Sequence, residues 1–324
     1  MLPGTGSAQS GDAMQSLADA ARREGEVVVY TSLPLEDMKP LADAFERRFG
    51  VRAKIWRASS EKVLQRTVAE GRSGRNDVDV VETNAPELEA LTREKLLQPV
   101  RSDSHASLIP QALPAHRAWA GTRLTIFASA YNTKLVRADE VPKRWDDLAH
   151  PRWKGRLGIE ADDVDWFASV VQDMGGEQKG AAVFRDIVRA NGMSIRRGHT
   201  LLTQLVVSGE VPLALTVYNY KAEQLKQQGA PIEWFVIGPA IARANGIGIA
   251  ARPRNPNAAR LFYEFVLGEE GQRLLQAREL VPTHRRLETA LSRMPLRLVD
   301  TAVVLDDFDR WKTLYDATFG RGTR

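Results

Sequence analysis

Polar side chains follow the apolar runs of this sequence, at the points where predicted strands end. They include hydroxyl, amide, carboxylate, guanidinium and phenol groups, which hold small polar molecules or hard metal ions. Because the carboxyl ends of parallel strands meet at one edge of a sheet, we expect these side chains to form a ligand site. The candidate ligand-binding residues are Ser32, Arg57, Ser59, Ser60, Glu82, Asn84, Glu160, Asp165, Trp166, Arg197, Thr200, Tyr218 and Tyr220.

Helix capping and strand termination are the structural alternatives for several of these residues. Ser60 and Thr200 stand where helix N-caps are expected, and Tyr218 and Tyr220 end an apolar run, where aromatic residues are common. Because such polar clusters recur in both halves of the chain, a shared cleft explains them better than independent caps do.

The motifs of several enzyme classes are missing from the sequence. It has no Gly-x-Ser-x-Gly elbow, no phosphate-binding loop, no Gly-x-Gly-x-x-Gly after the first predicted strand and no His-Glu-x-x-His. Cysteine is absent, which removes thiolate nucleophiles and suits folding in an oxidising compartment. We therefore predict a protein that is not an enzyme and has no catalytic residue and no cofactor.

The histidines are spread singly, and none has the i, i+4 spacing of a helical metal pair. We expect each of them to be a surface or loop residue rather than a metal ligand. They are His105, His116, His150, His199 and His284.

The elements that position the polar clusters are predicted from hydrophobic periodicity. In the first hundred residues, short apolar runs alternate with helical patterns, which favours a parallel sheet. The predicted helices cover 12–24, 35–49 and 60–70, and the predicted strands cover 27–30, 51–56 and 78–81.

The order of elements changes near residue 120. Leu124, Ile126 and Ala128 alternate with polar neighbours, which predicts a half-buried strand over 123–131. Beyond it the predicted helices cover 165–174, 181–191, 200–208 and 221–229. A turn and a strand are predicted over 153–159, and further strands over 211–218, 232–237 and 246–251.

Length and charge bound the classes of protein. The chain has 324 residues, which suggests about two domains. Its net charge of +4 is interleaved along the chain, so we expect no nucleic-acid partner. The apolar runs are shorter than the ~20 residues that a membrane helix needs. The first ten residues have neither a basic start nor an apolar core, so we expect a disordered terminus with the signal peptide already removed.

Several segments resemble the periplasmic solute-binding proteins of bacterial ABC importers, and in particular the ferric-ion-binding branch. The resemblance runs from about residue 20 to 320, and Pro151-Arg-Trp-Lys-Gly155 is its most specific part. The other segments are Glu26-Val-Val-Val-Tyr-Thr-Ser32, Arg57-Ala-Ser-Ser-Glu-Lys62, Asp77-Val-Asp-Val-Val81, Tyr131-Asn-Thr-Lys134, Asp146-Asp-Leu148 and Ser208-Gly-Glu-Val211.

The resemblance implies an α/β protein of the type II periplasmic-binding fold, in which two α/β lobes close around a cleft by a hinge. It implies an N-terminal lobe of 1–118 with 240–288, and a C-terminal lobe of 119–239 with 289–324 that carries the C-terminal helices. It also implies a periplasmic monomer that delivers a small-molecule or metal cargo to a permease in the inner membrane.

Cargo identity is where the sequence departs from the ferric-binding branch. Typical members use a His in the first strand–helix loop, a Glu after the third strand and two adjacent Tyr after a later strand. Lined up on this chain, those positions hold Pro34, Asn84, Asn219 and Tyr220, so one ligand of four is retained. The predicted helix over 165–174 begins with carboxylates over 160–166, and these disfavour an anion at its N-terminus.

Two cargo hypotheses follow. The first, which we favour from the sequence, is a small polar or zwitterionic organic solute, held by hydroxyl, guanidinium and carboxylate groups and by the face of Trp166. The alternative is ferric iron held by Tyr218, Tyr220, Glu82 and neighbouring carboxylates. An enzyme built on a similar two-lobed fold is a further alternative, which the missing nucleophile and base disfavour.

Overall fold

The computed structural model describes residues 6–289 and 291–320. The chain divides into two compact units, of which unit 1 is Met1–Leu124 with Ala244–Thr289 and unit 2 is Thr125–Arg243 with Ala290–Arg324. The chain passes from one unit to the other inside two long strands, β4 Ala120–Asn132 and β9 Ala240–Ile249. The lobe boundaries expected from the sequence lie a few residues from these positions.

Unit 1 is built on parallel strands with helices around them. Strand β1 pairs in parallel with β2 and with β3, and β3 pairs antiparallel with the end of β9. The elements are α1 Gly6–Glu24, β1 Glu26–Thr31, α2 Leu35–Phe49, β2 Arg52–Arg57, α3 Ser60–Arg72, β3 Val80–Asn84, α4 Ala85–Arg93, the start of β4 Ala120–Asn132, the end of β9 Ala240–Ile249, α9 Pro256–Leu267, α10 Glu269–Gln276 and β10 Val281–Pro282.

Unit 2 repeats the parallel arrangement. Strand β5 pairs in parallel with β6 and with β7, while β4 pairs antiparallel with β7 and β8. The elements are β5 Leu157–Glu160, α5 Val164–Asp173, α6 Glu177–Asn191, β6 Ser194–Arg196, α7 His199–Ser208, β7 Leu213–Tyr218, α8 Asn219–Gln227, β8 Ile232–Phe235, β11 Leu296–Leu298, α11 Thr301–Asp306 and α12 Phe308–Phe319.

The core of unit 2 is rich in aromatic side chains. Trp166 is 3% exposed and packs edge-to-face on Trp145 and Phe184, with ring centroids 5.4 and 5.7 Å apart. Phe167 packs in the same way on Tyr315 from α12, at 5.4 Å. Such pairs add favourable geometry to the burial of large apolar area. The apolar face of the first turn of α5 is therefore held rigidly by these aromatic contacts.

Most predicted elements are present with small changes at their ends. The helix predicted over 35–49 is confirmed as α2, with the same bounds. The predictions did not include helix α4 or the short strands β6, β10 and β11. The prediction of disorder for the first ten residues is wrong from Gly6 onward, where α1 begins, and its first five residues lie outside the described part. Within the described residues, no helix has the length and apolar character needed to cross a membrane.

Candidate functional site

The carboxyl edge of the unit 2 sheet gathers ionisable side chains from three neighbouring strands. Glu160 is the last residue of β5, Tyr218 is the last residue of β7, and His199 begins α7 just after β6. Because β6, β5 and β7 are parallel neighbours, their carboxyl ends share one edge. Open α/β sheets bind their ligands at this edge.

Glu160 is a buried carboxylate fixed by backbone donors. It is 5% exposed, and its two oxygens accept hydrogen bonds from the N–H of Gly198 at 2.8 Å and from the N–H of Asp162. Gly198 has φ of 100°, which side chains other than that of glycine rarely adopt. The Tyr315 hydroxyl donates to the backbone carbonyl of Glu160. The strand end and the loop before α7 are thus locked together through this one residue.

Asp163 and His199 form a second polar contact beside it. Asp163, at the start of α5, is 1% exposed, and its Oδ1 lies 3.0 Å from His199 Nε2. Asp163 Oδ2 and His199 Nδ1 are both buried and have no hydrogen-bond partner. An unsatisfied buried polar atom costs about 1–3 kcal/mol, so a hydrogen-bonding or ligating partner at these two atoms would stabilise the protein.

Tyr218 is held on two sides. Its phenol ring stacks on the imidazole of His199, with centroids 3.5 Å apart, and its hydroxyl accepts a hydrogen bond from Arg243 Nη2. Arg243 is itself buried, pairs with Asp165 Oδ2 at 2.8 Å and lies over the ring of Phe127 at 5.0 Å. The guanidinium therefore connects the phenol at the end of β7 to the first turn of α5.

The electrostatics of this edge are dominated by burial and by neighbouring negative charge. Burial raises the pKa of Glu160, and the negative charge of Asp163 raises it further. Burial also raises the pKa of the Tyr218 phenol well above its ordinary value, while the charge of Arg243 opposes that shift. The arrangement favours the entry of positive charge.

Glu160, Asp163 and His199 have the donor types of a metal centre. One ligand atom from each residue lies within 4.8 Å of the other two, and no other group of three or more such side chains meets this geometry within residues 6–289 and 291–320. Two carboxylates and an imidazole suit first-row transition metals. We call these three residues the acid–histidine cluster.

The carboxyl edge of unit 1 carries a charge pair that is already neutralised. Glu82, in β3, is 1% exposed and pairs with Arg123, which is 4% exposed. The hydroxyl of Thr31 donates to the other carboxylate oxygen. Because both oxygens are engaged by partners in the same unit, the expected role of Glu82 as a metal ligand does not agree with this geometry.

Hydroxyl and amide groups line the same edge of unit 1. Asn245 donates to Asn84, which donates to Ser60, each at 2.6 Å, and Thr83 donates to Ser32 at 3.0 Å. Two further candidates lie nearby in the chain: Ser59 caps α3 by accepting from Lys62 N, and Arg57 is exposed at the end of β2. These hydroxyl and amide groups are neutral and stand beside the buried Glu82–Arg123 pair, and the exposed Arg57 lies in register with Thr31 of β1.

The remaining predicted residues of unit 2 differ in their access. Trp166 packs in the aromatic core and presents no open face to a ligand, so the expected aromatic contact with a cationic group is not supported. Arg197 is exposed and pairs with Asp162, and Thr200 is partly buried in the first turn of α7. Tyr220 is buried, and its ring stacks on that of Tyr218 at 6.1 Å.

Sequence reasoning missed Asp163, His199 and Arg243. The expectation that every histidine is a surface or loop residue is wrong for His199, which sits in the cluster, and for His105, which is buried against the Tyr263 hydroxyl at 2.7 Å. The sequence indicates a polar segment around His199. The side chains that contact His199, Asp163 and Tyr218, come from distant parts of the chain, so local spacing does not reveal them. Arg243 lies in β9, far along the chain from Asp165, and no local spacing reveals their pairing.

Comparisons with known proteins agree with this architecture. Residues 40–287 match the family described as bacterial extracellular solute-binding protein. The chain is 24% identical over 270 residues to the "Fe(3+)-binding periplasmic protein" of Serratia marcescens, covering 80% of this chain and 78% of the relative.

Solved structures show the same fold. Iron-bound HitA from Pseudomonas aeruginosa superposes with a TM-score of 0.78 at 22% identity, covering 90% of this chain and 99% of HitA. AfuA from Actinobacillus pleuropneumoniae, with fructose-6-phosphate bound, gives 0.80 at 21% identity, covering 91% and 98%. The fold thus carries different cargoes in different proteins. Because the family match spans most of its length, the chain belongs to the bacterial extracellular solute-binding proteins, the non-enzymatic substrate-binding subunits of ABC importers.

Proposed function

We propose that the cargo of this solute-binding protein is ferric iron, captured through the phenol of Tyr218 at the carboxyl edge of unit 2. One observation carries the proposal: the Tyr218 phenol stacks on the imidazole of His199, and that imidazole lies with the carboxylates of Glu160 and Asp163 in a group whose ligand atoms are within 4.8 Å of one another. Phenolate and carboxylate oxygens are hard donors, and ferric iron is a hard cation that prefers them.

The charge balance supports a highly charged cation. Asp165 is neutralised by Arg243, whereas Glu160 and Asp163 bring two buried carboxylates close together. Buried like charges are costly, and a cation between them offsets that cost. Iron binding displaces the phenol proton of Tyr218, as ligation generally does for protonated donors.

The names of relatives support the same cargo class. The Serratia marcescens relative is named for ferric iron and the HitA structure is iron-bound. The proposed donor set differs from the expected one in Glu82, which is engaged by Arg123. In this proposal Glu160 and Asp163 supply the carboxylates.

A small polar organic solute is the second candidate. The observation that favours it is the chain of hydroxyl and amide groups along unit 1, with the exposed guanidinium of Arg57 beside it. Trp166 and Asp165, which this hypothesis needs at the surface, are buried and packed or paired. The iron proposal therefore explains more of the charged residues.

The test is a titration with ferric nitrilotriacetate, followed by the visible tyrosinate-to-iron band. We expect the wild type to develop the band and Tyr218→Phe to lose it. The matched control is Tyr131→Phe, which removes the hydroxyl of another tyrosine of unit 2. The Tyr131 ring packs on Phe235 and not on the cluster. A band that persists in Tyr218→Phe contradicts the assignment. Absence of iron binding together with a thermal shift by a zwitterionic metabolite supports the second candidate.

The proposal extends to the cellular setting. A periplasmic monomer that carries iron would hand it to an inner-membrane permease. Size-exclusion chromatography with light scattering tests the monomer, and iron-dependent stimulation of the ATPase of the reconstituted permease tests the delivery step.

A further inference from the structure

The acid–histidine cluster carries an inference about the coordination of the cargo. We infer that Glu160, Asp163 and His199 are direct ligands of the bound metal and present two carboxylates and an imidazole beside the Tyr218 phenol. The inference takes the identity of the metal from the proposed function. The placement of the three ligands on one unit is a separate claim, with its own test.

The ligand atoms of the acid–histidine cluster lie close together in a largely buried setting. The three ligand atoms lie within 4.8 Å of one another, although Asp163 and Glu160 are almost fully buried. Carboxylates repel each other at this range, and a low-dielectric setting strengthens the repulsion. A shared cation converts the repulsion into attraction, which gives the arrangement a physical reason.

Two buried polar atoms of the cluster have no hydrogen-bond partner. Asp163 is 1% exposed, yet its Oδ2 has no hydrogen-bond partner, and neither has the buried Nδ1 of His199. Buried polar atoms are paired in the great majority of cases. A cation bound to the cluster gives the Asp163 carboxylate the second partner that it lacks.

The side chains of Glu160 and His199 are already held in place by their surroundings. Glu160 is oriented by the N–H groups of Gly198 and Asp162, and the His199 ring is fixed by the stack on Tyr218. Ligands held in place by surrounding contacts lose little entropy when the metal binds. The same two N–H groups are occupied by the Glu160 carboxylate, so this loop favours a cation over an anion.

The alternative is that the Asp163–His199 contact merely joins the starts of α5 and α7. Such a structural role would lower stability on mutation without changing metal affinity in variants that still fold. A readout specific to the metal is therefore required.

The experiment compares Asp163→Asn and His199→Gln with Asp186→Asn. The control removes an exposed carboxylate of the same unit, one that lies on α6 and pairs with Arg189. Each protein is loaded with ferric citrate, which contains no nitrogen, and pulsed electron paramagnetic resonance records nitrogen coupling to the iron. Iron affinity is measured on separate samples by competition with nitrilotriacetate. Circular dichroism confirms that each variant is folded.

We expect Asp163→Asn and His199→Gln each to lower iron affinity by about ten-fold or more. The control should change it by less than about two-fold, because exposed charges are screened. Nitrogen coupling should be present in the wild type and lost in His199→Gln. If a variant fails to fold, nitrogen coupling in the wild type decides the role of the imidazole.

The failures of the two claims can be distinguished. Wild-type protein that binds iron with a tyrosinate band, but shows no nitrogen coupling and keeps its affinity in both variants, overturns the ligand assignment and leaves the proposed cargo intact. Wild-type protein that binds no iron contradicts the proposed cargo. In that case a Mn²⁺ titration decides the cluster: saturable binding lost in Asp163→Asn supports a metal site, and no binding overturns it.

Discussion

The imidazole of His199 lies on the phenol ring of Tyr218, with ring centroids 3.5 Å apart and planes 25° from parallel. The two rings come from the start of α7 and the end of β7. Asp163 contacts the imidazole, and Arg243 donates to the phenol hydroxyl. The stack therefore joins two polar contacts at the carboxyl edge of unit 2. A substitution at either ring should alter the position of the other.

Removal of the Tyr218 hydroxyl should lower the free energy of unfolding as well as abolish the visible tyrosinate-to-iron band. Tyr218→Phe keeps the ring stack but takes one acceptor from the buried Arg243. We expect the free energy of unfolding to fall by about 1–3 kcal/mol, which is the cost of leaving a buried donor unsatisfied. Urea denaturation of the metal-free protein measures it. An unchanged midpoint would mean that the Arg243 contact contributes nothing to stability.

Gly198 should be needed for its backbone conformation. Gly198→Ala places a side chain at φ of 100°, which should cost about 1–3 kcal/mol and disturb the N–H that holds Glu160. Gly176→Ala is a matched control, since Gly176 has φ of 98°, precedes helix α6, and an added Cβ meets no atom within 4 Å at either position.

We expect both glycine variants to lose similar stability in urea denaturation, and only Gly198→Ala to lose iron affinity. Equal iron affinity in the two variants would show that the Gly198 N–H does not orient the Glu160 carboxylate.

The buried pair of Glu82 and Arg123 should behave as a unit. Arg123→Leu leaves an uncompensated buried carboxylate and should lower the free energy of unfolding by about 3–5 kcal/mol. Adding Glu82→Gln to it should restore part of the loss, because the charge is then removed as well. A double-mutant cycle by chemical denaturation measures the coupling, and additive losses would contradict the pairing.

His105 should make stability depend on pH. Burial lowers its pKa in the folded protein, while in the unfolded chain it stays near about 6.5. The unfolded state therefore binds more protons in mildly acidic solution, and stability falls as pH drops below about 6.5.

His284 shifts in the same direction, so it contributes to the same slope. His105→Gln keeps a polar partner for Tyr263 and should flatten the fall in stability between about pH 7 and 5. Thermal denaturation across that range measures it. A variant with the wild-type slope would exclude His105 as a source of the pH dependence.

The fold was largely readable from the sequence because its elements follow local rules. The helix of 35–49 has a clear apolar face and appears with the predicted bounds. The three-residue strand β6 was missed because so short a run carries no periodicity, and α4 was missed because it follows β3 directly, with no intervening loop.

The site was only partly readable. Glu160 and Tyr218 were recognised because each ends an apolar strand. His199 and Asp163 were not selected, since their partnership joins residues from separate helices. Trp166 was predicted to face a ligand because it follows acidic residues, but helical geometry turns its ring toward Trp145 and Phe184 in the core. Burial of a single ring is decided by tertiary packing, which local sequence does not report.

The most direct test of the central claim is the iron content of wild-type protein purified without chelator and loaded with ferric nitrilotriacetate, with the visible spectrum recorded on the same sample. The account predicts about one iron per chain, the stoichiometry of a single donor cluster, and a tyrosinate-to-iron band. A colourless, iron-free protein would contradict it.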